Sequence, residues 1–492
     1  MTQDKRSGNV TETDVLIIGT GFAGLCAAIK LREAGVTNIR LVEKNADLGG
    51  TWYLNTYPGA TCDVASHFYS FSFAPKSDWS HLYSPQPEIL AYLNDVADRY
   101  ELRPLITFGR EVTGLRFDPA RGSWEVRFAD GPPVFARFVV NGMGGLHHPM
   151  WPDIDGLRDF AGPVIHTAEW DHTFDPAGKR IAVIGSAASA IQVVPELARK
   201  AARLDVWQRT PNHIVPRGNY AYSDRQKALF ARFPVLRRLY RWKLKTRMDW
   251  LLYPLIRFPL WRARLAGQFE YYRSRAIPDP EMRARLTPDY ELGCKRILVS
   301  DDFYAALKRQ NVFLVTDQIA RITPEGIEDT SGRLRAVDAI ICATGFDIQK
   351  QFTAIEVEGP RARLADVWAD KVEAWRGVMV AGFPNLFFVT GPNTGVGTTS
   401  VVHMIEQAVG WIVQAIAEVP TGGTIDVDPG AQDRRNAALH AALGRTVWAT
   451  DCQSWYKRAD GRIETLYPGN AAAYAREMRH LRRGELILKG PE

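Results

Sequence analysis

Asp14-Val-Leu-Ile-Ile-Gly19-Thr-Gly21-Phe-Ala-Gly24 decides the fold of this 492-residue chain. A short apolar run that ends on glycine reads as a buried strand. Gly19, Gly21 and Gly24 then follow in the spacing Gly-x-Gly-x-x-Gly. The expected order is strand, tight turn, helix over 22–34 and second strand over 39–43, which is a βαβ unit. Glu43 lies 19 residues beyond Gly24, about where a carboxylate accepts from a ribose hydroxyl. The glycines allow the turn and bring the backbone close to a pyrophosphate, whose charge sits at the helix N-terminus. A glycine turn without a ligand is the bland alternative.

A second unit starts at Arg180-Ile-Ala-Val-Ile-Gly185. Its turn, Gly185-Ser186-Ala187-Ala-Ser189-Ala190, opens a helix over 189–200 and leads to a strand over 204–207. Ala187 and Ala190 replace two glycines, and alanine at the last position is a tolerated variant. Arg209 follows the second strand, near where the first unit carries Glu43. A cation there suits the extra phosphate of NADP, or is a plain surface charge. Gly185, Ser186, Ser189 and Arg209 are the candidate contacts of this site.

Between the units, alternating segments over 124–128 and 135–140 read as sheet. Residues 216–292 are helical, punctuated by proline and basic. Strands over 312–315 and 339–342 return the chain to the second unit, and Ala343-Thr-Gly345-Phe346-Asp347 leads away again. The expected fold class is α/β, with two Rossmann-like dinucleotide-binding domains and a helical insertion in the second. The expected division is 1–148 and 343–492 for the first domain, 149–215 and 293–342 for the second, and 216–292 for the insertion.

Charged residues make up 24% of the chain and hydrophobic ones 46%, which places it among ordinary globular enzymes. The five cysteines form no Cys-x-x-Cys pair, so no zinc ribbon, dithiol centre or other metal site is expected, and each reads as a lone reduced thiol. Residues 1–14 lack the apolar stretch of a signal peptide, and no run is long enough to span a bilayer. A cytoplasmic protein is expected. The net charge of +6 is uneven: between residues 225 and 296 there are 18 Lys and Arg against 6 Asp and Glu, a local +12. Aromatics interleave with them, including Trp242, Trp250 and Trp261. This face is either solvated or rests on anionic lipid. No recognition motif accompanies the charge, so nucleic acid is not an expected partner.

Two further patterns carry a family resemblance. Phe160-Ala-Gly162-Pro-Val-Ile-His166-Thr-Ala-Glu-Trp170-Asp171 lies between the glycine turns, and Gly50-Thr-Trp52, Tyr57-Pro58-Gly59 and Asp63 lie just after the first unit. Together they resemble the fingerprints of the type I Baeyer–Villiger monooxygenases, class B flavin-dependent enzymes, over nearly the whole chain. Trp170-Asp171 favours this branch over the N- and S-oxidising relatives. The resemblance implies FAD at the first turn and NADP at the second. It implies an NADPH- and oxygen-dependent enzyme that inserts one oxygen atom beside a ketone carbonyl, through a C(4a)-peroxyflavin, to give an ester or lactone. A heteroatom oxidase, an uncoupled NADPH oxidase or flavin reductase, and a flavin-binding scaffold are the competing readings.

By the same resemblance Gly49, Gly50, Thr51 and Trp52 line the flavin, and Asp63 and Arg296 form the active-site pair. Lys295 joins Arg209 at the NADP phosphate. A guanidinium held by a carboxylate stabilises a developing oxyanion; a structural ion pair is the alternative. His166 either couples domain movement or is a buried histidine satisfied by backbone. Trp455, in a segment resembling one that closes over NADP, either stacks there or belongs to the core. The substrate is expected to be a lipophilic ketone, with molecular oxygen, and the aromatics of the insertion are expected to wall its pocket.

Overall fold

In a computed structural model, residues 11–491 are described apart from 398, 452, 453, 455 and 459. Trp455 therefore lies outside the described residues. The opening strand runs Thr11–Ile18 and the helix Phe22–Glu33, followed by the strand Ile39–Val42. These strands pair in parallel, and Val134–Asn141 and Leu386–Phe388 extend the parallel part. Ser123–Phe128 and Val112–Asp118 continue it as antiparallel strands. Against one face packs the helix Val401–Glu418, whose apolar stripe joins the core of the first unit.

The second unit is a separate, wholly parallel sheet. Its strand order is Val312–Val315, Arg203–Trp207, Arg180–Ile184, Ala339–Cys342 and Val164–His166. Both its faces are covered, as a parallel sheet requires. The motif containing His166 thus supplies an edge strand of this sheet. Two Rossmann-like units in one α/β chain is the observed fold.

The chain crosses between the sheets twice, near residues 148 and 345, and the crossings are tied together. The Met150 amide donates to the Gly345 carbonyl at 2.9 Å, and the Asp347 amide to the His148 carbonyl at 2.9 Å. The Thr344 hydroxyl donates to the Met150 carbonyl at 2.6 Å.

The insertion folds as the helices Asp224–Arg232, Pro234–Arg257, Pro259–Ala276 and Pro280–Arg285. A short parallel ladder closes its root, with Ile214–Val215 against Leu298–Val299. Ser223 starts the first helix with a capping box completed by Gln226. Two expectations fail here. Trp242 and Trp250 are exposed and wall no pocket, because they fall on the face of the long helix turned away from buried Leu244 and Leu255. Cys294 is disulfide-bonded, so the cysteines are not all lone thiols; Cys26, Cys62 and Cys342 are free and buried.

Candidate active site

The first glycine turn is built by contact. A Cβ on Gly24 would stand 1.8 Å from the Gly19 carbonyl oxygen, and Gly19 itself has a φ of +90°. No other residue type allows this approach of helix to strand. Gly21 faces Gly50, where a Cβ would stand 3.0 Å from the Gly21 Cα. The cleft between two bare backbones fits a pyrophosphate and leaves no room for side chains. Thr51 and Trp52 follow in a single helical turn, and the Trp52 indole donates to the Tyr69 hydroxyl at 3.2 Å.

Glu43 is buried just past its strand. One carboxylate oxygen accepts from the Thr20 amide at 3.0 Å and its hydroxyl at 2.8 Å. The other accepts from the Asn45 amide and side chain at 2.9 and 2.6 Å. A buried carboxylate needs such partners, so Glu43, expected as an acceptor for a ribose hydroxyl, also fastens the turn.

The second turn shares one constraint and differs in the rest. Gly185 has a φ of +116°, and a Cβ on it would stand 2.4 Å from the Ala343 carbonyl oxygen. Ala187 and Ala188 are exposed ahead of the helix Ala190–Ala198. The Ser186 hydroxyl donates to the Thr210 carbonyl at 3.0 Å, and Ser189 hydrogen-bonds the Tyr57 hydroxyl. At the position of Glu43 stands neutral Gln208, buried and donating to the Arg285 carbonyl, with exposed Arg209 next to it. Arg209 and Lys295 come together. Burial, then repulsion from Arg209, hold the Lys295 ammonium below the usual lysine range. Lys295 lies over the Tyr290 ring at 4.5 Å and borders a cavity of about 480 Å³ that Thr210, Tyr290 and Asp289 also line. The paired cations fit a phosphate.

Asp63 and Arg296 meet although they are 233 residues apart. The Arg296 Nε donates to one carboxylate oxygen and Nη2 to the other, each at 2.9 Å. Both are half-buried. A pair so open to water contributes at most about 1 kcal/mol to stability, so its fork geometry is its more telling feature. The charge of Asp63 raises the Arg296 guanidinium above its already high range, so it is always a cation.

Two neighbours were missed in the sequence. Tyr456 is buried, and the Arg296 backbone hydrogen-bonds its hydroxyl, which burial pushes up to about 12. Gln192, on the helix of the second turn, holds the loop that leads to Asp63. Its Oε1 accepts from the Tyr57 hydroxyl at 2.8 Å and the Thr61 amide at 3.3 Å, and its Nε2 donates to the Thr61 carbonyl at 3.0 Å. Only its place two residues past Ala190, on the turn of helix facing the site, hinted at it.

His166 is fully buried, and its Nδ1 accepts from the Ala168 amide at 3.1 Å. Burial lowers it to about 4, so it is neutral at working pH. It lies against Trp151 and Phe346, beside both crossings. Its Nδ1 has this backbone partner, whereas its buried Nε2 has no hydrogen-bond partner within normal geometry among the described residues.

The Pyridine nucleotide-disulphide oxidoreductase family matches residues 16–223. A Baeyer–Villiger monooxygenase of Pseudomonas aeruginosa is 42% identical, over 92% of this chain and 87% of its own. The solved structure of oxidized steroid monooxygenase bound to NADP superposes with a TM-score of 0.88 at 31% identity, covering 97% of this chain and 99% of its own. That of OTEMO in complex with FAD and NADP also gives 0.88, at 26% identity, covering 98% and 100%. With the paired glycine turns and both sequence fingerprints in place, the chain belongs to the Baeyer–Villiger monooxygenase family.

Proposed function

We propose that Arg296, oriented by Asp63, is the fixed cation of an oxygen insertion beside a ketone carbonyl, and that the bidentate bond between them carries this reading. The enzyme is an FAD-dependent monooxygenase that consumes NADPH and oxygen. Bound FAD, reduced by NADPH, supplies the activated oxygen. Gly19, Gly21, Gly24, Glu43, Gly50, Thr51 and Trp52 would hold FAD. Gly185, Ser186, Ser189, Arg209 and Lys295 would hold NADP. We assign 1–148 with 343–492 to the FAD domain, 149–215 with 293–342 to the NADP domain, and 216–292 to the insertion.

A permanent guanidinium stabilises negative charge on the oxygen being transferred, and then on the oxyanion formed at the ketone carbon. Asp63 limits its rotation, so little reorganisation is needed as charge develops. Tyr456 and Gln192 are positioning residues, the first for Arg296 and the second for the Asp63 loop. Trp52, Tyr69 and Tyr456 around the pair suit a lipophilic ketone.

For Arg296→Ala we expect FAD to stay bound and to be reduced by NADPH at nearly the normal rate. Ester formation should fall by about two to three orders of magnitude, the loss typical of one oxyanion donor, while oxygen is released as hydrogen peroxide. Ester made at the normal rate would overturn the assignment. Products from a panel of linear, cyclic and steroidal ketones and one thioether, set against NADPH consumed, separate ketone from heteroatom oxidation and both from uncoupled oxidase activity.

A further inference from the structure

The long helix of the insertion presents an apolar stripe to water. Val235, Leu239, Trp242 and Trp250 fall within about 80° of one another around Pro234–Arg257. Val235 is 63%, Trp242 64% and Trp250 74% exposed. Phe258, between the two helices, and Leu260, in the first turn of Pro259–Ala276, are exposed too, Leu260 by 88%. So many large apolar side chains left in water on neighbouring elements mark a contact.

Charge identifies the occupant. Residues 224–276 hold 14 Lys and Arg against 3 Asp and Glu. Asp249 is turned inward to Lys245 and the Ala471 amide, and Glu270 is taken by Arg273. Arg238, Lys243, Arg247 and Arg264 are exposed on these two helices. A second copy of the chain would bring this excess of positive charge against its own kind. A nucleic acid would gain nothing from Val235, Leu239 and Leu260. A bilayer with anionic headgroups matches both properties, with aliphatic and indole groups at the acyl boundary and cations among the phosphates. Among the described residues no helix is long and apolar enough to cross a membrane, so the contact is peripheral.

We propose that the outward face of Pro234–Arg257 and Pro259–Ala276 rests on an anionic lipid surface. The holoenzyme should float with vesicles of phosphatidylcholine and phosphatidylglycerol at low salt. It should stay behind with phosphatidylcholine alone, and high salt should release it. The double variant Trp250→Ser, Leu260→Ser should partition about a hundredfold less. FAD content and NADPH oxidation measured on the same preparations should not change, so a failure here is distinct from a failure of the oxygenation chemistry. Lys243→Glu with Arg247→Glu should also abolish flotation. Protein left unbound at low salt overturns the proposal, as does a double variant that floats like the parent. A parent dimer in sedimentation velocity that the double variant splits also overturns it, by giving the face to a second copy.

Discussion

The two glycine turns share one backbone problem and solve opposite electrostatic ones. In the first, Gly24 packs so closely on Gly19 that no side chain fits, and buried Glu43 follows the next strand. In the second, Gly185 alone is forced, alanine fills the remaining positions, and the strand ends on neutral Gln208 with cationic Arg209 beside it. A carboxylate accepts from a ribose hydroxyl and repels a phosphate; a guanidinium does the reverse. On the proposed assignment the fold sets where the nucleotide lies, and one or two residues past the second strand set which nucleotide it is.

The harshest test of this contrast is steric. Gly24→Ala drives a Cβ into the Gly19 carbonyl, and we expect a loss of more than about 4 kcal/mol, with colourless or insoluble protein. Ala190→Gly at the second turn should cost only about 1 kcal/mol, lower Tm by a few degrees and leave the flavin in place. A yellow, stable Gly24→Ala protein would break the comparison.

The next effect is electrostatic. On the proposed assignment Arg209→Ala removes a charged hydrogen-bond partner of the phosphate, typically worth about 1.5–3 kcal/mol. The KM for NADPH should rise about tenfold to a hundredfold, with kinetics on NADH nearly unchanged. Adding Gln208→Glu gives the second turn the charge of the first and should make NADH the better reductant. Equal losses with both reductants would remove Arg209 from the phosphate site.

The smallest effect is in pH. Burial and Arg209 lower the Lys295 ammonium in the free enzyme, and a bound phosphate dianion raises it again. Binding therefore takes up a proton between the two values. NADPH affinity should be full below the free-enzyme value and fall as pH rises through it. Direct titration over a pH series should show this slope for NADPH, no slope for NADH, and none for either in Lys295→Met. A slope that persists in that variant belongs to another group.

The nucleotide units were legible because their constraints are local. An apolar run, a glycine spacing and a charge 19 residues on all act within one βαβ unit. Asp63 and Arg296 became a pair only through family resemblance, since no local pattern joins residues 233 positions apart. Tyr456 and Gln192 escaped because their partners lie on other elements and hydrogen bonding leaves no periodic trace. Trp242 and Trp250 were read as pocket walls because composition records aromatic content and not direction. Only the helix rotation fixed by Leu244 and Leu255 shows that they point outward.

The tied crossings have a mechanical consequence. Two straps joined by the Met150–Gly345 and Asp347–His148 hydrogen bonds act as one hinge with a single bending line. Twisting one sheet against the other would shear both bonds at once, at about 0.5–1.5 kcal/mol each, whereas tilting leaves them whole. Displacement under such a tilt would grow with distance from that line. Gln192 to Thr61 and Arg296 to Asp63 also span from one unit to the other, so any tilt that widened the gap there would have to break both.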